Sequence, residues 1–173
     1  VKRPLKPLDS PLPQSDVDSL SVSVDNFADC PRYTATAFGS ITVAPSPFWI
    51  RHRLRAVGLR PISNIVDLSN FVMLALGEPT HTFDRRFVGD DTIRVRRATE
   101  AEPFKTLDET ELVLSPEDLL IADSKGGIAL AGVMGGENSE IRDDTTDVIL
   151  ECATFNPGLV RRTALRHGIR TDS

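Results

Sequence analysis

The chain has 173 residues, 40% of them hydrophobic and 26% charged, with a net charge of −5, which allows one substantial core but hardly two full domains. That acidic balance argues against a protein that coats nucleic acid by bulk electrostatics, while local basic patches stay open. Two distant cysteines, Cys30 and Cys152, the lack of any long apolar run and the lack of a signal-peptide segment point away from disulfide, zinc and membrane classes, with no membrane partner, and towards a cytoplasmic location.

Residues 1–15 (VKRPLKPLDSPLPQS) hold four prolines and no apolar period, the composition of a linker or an extended arm. Leu20, Val22 and Val24 alternate with serines, as in a half-buried strand. The run from Arg32 to Val43 is β-branched and aromatic enough for a second strand, with Gly39 as a bulge or bend. Ser46 and Pro47 read as cap and first residue of a helix. Its stripe is Ile50, Leu54 and Val57, and Gly58 is its stop. Arg51, Arg53 and Arg55 decorate its other side, as a solvated face or as a patch for RNA phosphate or a partner subunit.

A second helix is expected from a Ser63 cap to Gly77, with Asp67 near its positive end. Ile65, Leu68, Val72 and Leu76 share a face, and Val66, Phe71, Met73 and Leu74 make it apolar nearly all round. Such a helix is expected to be buried. Ser69 and Asn70 then need partners, in their own helix or in a ligand. In the following GEPTHTFD, Pro79 forces an extended chain and sets Thr80 and His81 on a fixed loop. A lone histidine there is a structural residue or a site residue.

From residue 92 to 155 the chain reads as β-rich. The expected strands are Thr92–Arg97, Phe104–Leu107, Glu111–Leu114, Leu119–Asp123, Ile128–Met134 and Val148–Phe155, with a turn at Lys125-Gly126-Gly127. The expected fold class is α+β: a β-rich, barrel-like or sandwich core with a few packed helices. Asn156-Pro157 opens a last helix that turns Leu159, Val160, Ala164 and Leu165 inward and ends at Gly168. Arg161, Arg162 and Arg166 face out.

No P-loop, GxGxxG, HExxH or GxSxG pattern is present, so nucleotide, metal and acyl-enzyme sites have no support in motifs. The stretch from Ile128 to Glu151 stands out. An apolar run ends in Gly135-Gly136, where a ligand can approach the backbone closely. A second run then delivers Glu151 between Leu150 and Cys152, a carboxylate that is costly to bury without donors. Glu151 and Cys152, adjacent in a strand, point to opposite faces. The residues outline a non-metal pocket with Ser69, His81, Glu151, Thr171 and the backbone N–H groups of Gly135-Gly136 as its polar groups.

Four segments carry a specific likeness. SNIVDLSNFVMLALGEPTHTFD, LAGVMGGENSEI, TTDVILECATFNP and RRTALRHGIRTDS resemble, in order and spacing, the central module of the β subunits of bacterial-type phenylalanyl-tRNA synthetases. The resemblance runs from about Cys30 to Ser173 and implies that residues 16–173 form an editing domain. The missing initiator Met and the stop at Ser173 fit a fragment of a longer protein. The family is an (αβ)₂ tetramer whose α subunit makes phenylalanyl-tRNA, with ATP and Mg²⁺ for the complete enzyme and no cofactor in this module. The implied partners are the α subunit, the acceptor end of tRNA(Phe) and a tyrosine moiety to be hydrolysed from it.

Carried over by motif, the catalytic set is His81, Ser69 and Thr171. Glu151 senses the tyrosine hydroxyl, and Gly135, Gly136, Asn70, Pro79 and Ser173 complete the substrate-binding set. This chain departs from many relatives at Ser69, which keeps a hydroxyl but lacks the methyl of Thr, and at Glu78 and Thr80, where Gln and Met are usual. It also has Ser173 in place of Ala. Phenylalanine and tyrosine differ by one hydroxyl, which a second site can read by orders of magnitude if it hydrogen-bonds that group. The alternative is a non-catalytic tRNA- or subunit-docking module with a degenerate pocket.

Overall fold

Short runs of β-branched residues, broken by glycine and aspartate turns, fold into strands around which helices pack. The computed structural model describes residues 20–170, which exclude the expected arm at 1–15 and the candidates Thr171 and Ser173. In chain order come β1 (Ser21–Val24), β2 (Arg32–Phe38), α1 (Phe48–Ala56), α2 (Asn64–Leu76), β3 (Thr80–Asp84), β4 (Thr92–Arg97), β5 (Glu102–Lys105) and β6 (Glu111–Leu114). Then follow β7 (Leu119–Ala122), β8 (Gly127–Leu130), β9 (Met134–Gly135), β10 (Val148–Thr154) and α3 (Pro157–His167).

A five-stranded sheet has the order β1-β4-β7-β8-β9, and a three-stranded sheet the order β2-β10-β3. β1 runs parallel to β4, while the remaining pairings are antiparallel. The architecture is α+β with two packed sheets, and no closed barrel forms among the described residues.

One core fills the space between the sheets: Ile93, Val95, Ile121 and Ile128 from the larger meet Phe83 and Ile149 from the smaller. A second core lies on the far side of the larger sheet. There Leu120, Leu130 and Val133 pack with Phe104, Leu112 and Leu114 of the β5–β6 hairpin and with Val160 and Ala164 of α3. β7 is therefore buried on both faces, which is why it reads as an unbroken apolar run and not as an alternation.

Several boundaries differ from the sequence reading. β2 ends at Phe38 and does not run to Val43, because Ser40 adopts a left-handed backbone (φ 58°) and breaks the extended run. The expected strand Ile128–Met134 splits at Gly132 (φ 67°) into β8 and β9. Thr80 and His81 lie on a strand, β3, and not on a loop. Ser46 does not cap α1, since Pro47 takes that position; the Ser46 hydroxyl instead donates to the buried Asp67 carboxylate at 2.5 Å. Val57 and Leu165, expected to pack inward, are exposed.

The largest correction concerns α2. Ser63 caps it and Gly77 ends it in a left-handed conformation, as the sequence suggests. Yet its one fully buried residue is Asp67, and Leu68, Leu74 and Leu76 are each at least half exposed. The helix lies beside β3 and α1, with Ser69 reaching Thr82. A single packed side cannot cover a helix that is apolar all round.

α3 is tied to the body by Asp118, a fully buried carboxylate. It accepts from the Ser115 backbone N–H (3.0 Å), Thr163 Oγ1 (3.0 Å) and Arg166 Nη1 (2.5 Å), with His167 Nε2 at 3.1 Å. Burial alone would raise its pKa, but these hydrogen bonds outweigh burial and hold the carboxyl below its ordinary value. Its contribution is therefore complete above the unfolded pKa of about 3.9 and is lost as pH falls through the lower folded value. Asp118→Ala is expected to cost about 3 kcal/mol at pH 7 by leaving buried donors unpaired. Urea unfolding measures this, and the deficit should shrink in acid.

Candidate functional site

β10 is the middle strand of the smaller sheet, and its register decides what Glu151 meets. Glu151 stands opposite His81 on β3 and opposite Ala35 on β2, so all three side chains share the face turned to the larger sheet. Cys152 points the other way, towards Glu78. Across the gap, β9 places Gly135 against the His81 ring: a Cβ added there would lie 2.9 Å from His81 Nε2 and Cε1, and equally near Leu107 Cδ1. Glycine is required at this position for space, not for a special φ.

His81, Glu151, Gly135 and Pro79 line one cavity of about 150 Å³, whose other walls include Ile121, Leu130, Met134 and Phe155. An apolar cavity of that order takes one benzene ring. Gly136 is not among its lining residues: its N–H donates to the Ile128 carbonyl at 2.8 Å, and a Cβ there would meet that same oxygen. Ser69 and Asn70 line a separate groove along the free edge of β3, which shares Thr80 and His81. Ser69 Oγ lies 3.5 Å from Thr82 Oγ1, on the opposite face of β3 from the His81 side chain. The structure thus gathers four of the predicted residues in the cavity and sets two beside it, with His81 common to both spaces. A wider cleft shares Pro79, Ala153 and Phe155 with the cavity and is lined by Ile169 and Arg170, the last described residues.

Burial governs the electrostatics, with Glu151 buried and His81 partly so. Burial lowers the His81 pKa to about 4, so its imidazole is neutral near pH 7. The ring packs edge-to-face on Phe83 with centroids 4.7 Å apart. Burial raises the Glu151 carboxyl to about 7, against a smaller lowering contribution from the Tyr33 hydroxyl. Glu151 is 7% exposed, and its Oε2 has no hydrogen-bond partner among the described residues. A buried carboxylate oxygen without a donor is an acceptor available to a ligand. Tyr33, on the same sheet face, is missing from the sequence-derived set. Its distance from Glu151 along the chain hides a relation that only the β2–β10 register creates.

Two outcomes test this geometry. Glu151→Gln removes a buried group whose folded pKa is raised, so the variant should be more stable than the parent by on the order of 1–3 kcal/mol above pH 7. The gain should fade as pH drops towards about 4, where the parent's carboxyl is protonated in both states; thermal unfolding across pH reads it. Gly135→Val should push the His81 ring aside and close the cavity, moving the His81 NMR titration from about 4 towards its ordinary value of about 6.5.

Residues 29–173 match the family described as the B3/4 domain. The chain is 50% identical over 153 residues to the phenylalanine–tRNA ligase beta subunit of Geobacter sulfurreducens, covering 88% of this chain and 19% of that protein. It is 51% identical over 155 residues to the beta subunit of Syntrophus aciditrophicus, covering 90% of this chain and 19% of that protein. The chain therefore spans about a fifth of the length of these relatives. An N-terminal fragment of the phenylalanyl-tRNA synthetase beta subunit from Pyrococcus horikoshii shares the fold. Its TM-score is 0.61 at 16% identity, over 90% of this chain and 51% of that one.

Proposed function

The chain belongs to the B3/4 domain family, and from that premise we propose that it is the editing module of a phenylalanine–tRNA ligase beta subunit. In this reading it hydrolyses tyrosine wrongly esterified to tRNA(Phe). The observation that carries the proposal is Glu151: a buried carboxyl with an unpartnered oxygen, at the wall of a cavity sized for one aromatic ring. A tyrosine ring enters that cavity and its phenol donates to Glu151. A phenylalanine ring leaves the carboxyl unpaired, at a cost of several kcal/mol for a charged acceptor, so discrimination follows from desolvation.

Gly135 lets the ring approach, because any side chain there meets His81 and Leu107. The ester and terminal ribose extend from the cavity past His81 towards the β3-edge groove, where Ser69 and Asn70 offer a hydroxyl and an amide. Thr171 and Ser173 belong to the same expected set. An imidazole with a pKa of about 4 is a weak general base, so His81 serves to orient the ester or the attacking water by hydrogen bonding. The bond broken is an activated ester, and fixing water beside it supplies much of the rate. Attachment of phenylalanine with ATP and Mg²⁺ belongs to other parts of the whole enzyme, with the α subunit and the tRNA acceptor end as the module's partners.

Two measurements decide the matter. In the complete enzyme, Glu151→Ala should lower the deacylation efficiency for tyrosyl-tRNA(Phe) by about two orders of magnitude or more while aminoacylation continues unchanged. Deacylation at the parent rate would reject Glu151 as the hydroxyl sensor. In the 173-residue chain, free tyrosine should raise the melting temperature and phenylalanine should not.

A further inference from the structure

Three buried side-chain atoms lack a hydrogen-bond partner among the described residues: Tyr33 Oη, Arg51 Nε and Glu151 Oε2. Arg51 belongs to α1, which packs on α2. The other two are neighbours. In the β2–β10 register Tyr33 pairs with Ala153 and Ala35 with Glu151, so Tyr33 and Glu151 are diagonal neighbours on one face, within reach of a side chain as long as tyrosine. A buried phenol without a partner is a donor, and the carboxyl beside it has two acceptor oxygens, so one can take the phenol and the other stay open.

We propose that Tyr33 is the positioning residue of the cavity, with its hydroxyl donating to one oxygen of Glu151 so that the other is presented to a ligand hydroxyl. The inference rests on the reading of Glu151 as the receptor for a phenol. Glu151 would then be held between two phenols, one belonging to the protein and one to the ligand. Tyr33 is not among the residues lining the cavity, so it acts through the carboxylate and does not touch the ring that binds.

The surroundings leave this role to Tyr33. From β3 the carboxyl faces His81, whose imidazole is neutral near pH 7. Before β2 lies Cys30, whose thiol is engaged with the Arg32 carbonyl at 3.3 Å and is raised to about 11, chiefly by burial. The nearby Asp29 is paired with Arg97, and Cys152 lies on the opposite face. The larger sheet contributes the apolar Ile121, Ala129 and Leu130. A donor to Glu151 favours its charged form, and the Tyr33 hydroxyl acts in that direction, against the larger effect of burial.

The test is Tyr33→Phe in the 173-residue chain, which removes only the hydroxyl. With ¹³C-labelled glutamate, the Glu151 carboxyl should titrate about one pH unit higher than in the parent. Because a phenol donates to the ionised carboxyl, tyrosine affinity should rise with pH through the parent's midpoint of about 7 and then level off. In the variant that midpoint moves up, so affinity falls about five-fold at pH 7 and recovers to within about two-fold at pH 9. An unchanged Glu151 midpoint, or an affinity loss equal at every pH, overturns the proposal. If the variant does not fold, the parent's Tyr33 Cζ resonance serves. It should shift through the Glu151 midpoint, and a resonance indifferent to that titration overturns the proposal as well. If the parent binds tyrosine no better than phenylalanine, the reading of the cavity fails, while the two NMR titrations still decide the Tyr33–Glu151 bond.

Discussion

The pairing of β10 with β2 on one side and β3 on the other is the constraint on which the cavity depends. A central strand has both edges in ladders, so its side chains are held in register from two directions. A one-residue slip of β3 against β10 would turn His81 away from the cavity and bring Thr80 or Thr82 in its place. Glu151 is held in the apolar wall by β10, a strand packed against the larger sheet. The carboxyl belongs to the same face as Ile149, which is fully buried in the core between the sheets.

That placement has a cost, and the rest of the molecule offsets it. A carboxyl raised to about 7 and a histidine lowered to about 4 both mark burial that opposes the charged form. Neither group strengthens the fold by being there. The carboxylates that do stabilise lie elsewhere. Asp118 fastens α3, Asp84 accepts from Arg86 and Thr145, and Asp67 joins Ser46 to the backbone of Ile62. Each of these buried acids has its donors, whereas Glu151 Oε2 has none among the described residues. The contrast separates acids whose buried oxygens are satisfied from one that leaves an acceptor open.

Much of this was legible from residue patterns. Ser63 and Gly77 bound α2, Asn156 and Gly168 bound α3, and the strands Thr92–Arg97 and Glu111–Leu114 fall where alternation and turn residues put them. His81, Gly135 and Glu151 stood out as a lone histidine, a glycine pair and an awkward carboxylate, and the family likeness joined them before any geometry did. Tyr33 escaped notice because a tyrosine in a β-branched run is ordinary strand sequence. Gly136 and Gly135 are indistinguishable as letters, yet one donates to the β8 backbone and the other gives room at the cavity. The burial of α2 was misjudged because the apolar period of a helix states how much surface could be covered, not whether any neighbour covers it.

Local preference is short-ranged: caps, turns and alternation act over a few residues, so the chain could announce its helices, most of its strands and several residues of the cavity wall. Distance along the chain carries no register. That Glu151 faces His81, that Tyr33 lies diagonal to it across 118 residues of sequence separation, and that Ser69 lies on the other side of β3 from the His81 ring follow from long-range strand pairing and from the packing of one sheet on the other. Those are collective outcomes of burying two cores at once, and a cavity between sheets exists only after both have formed.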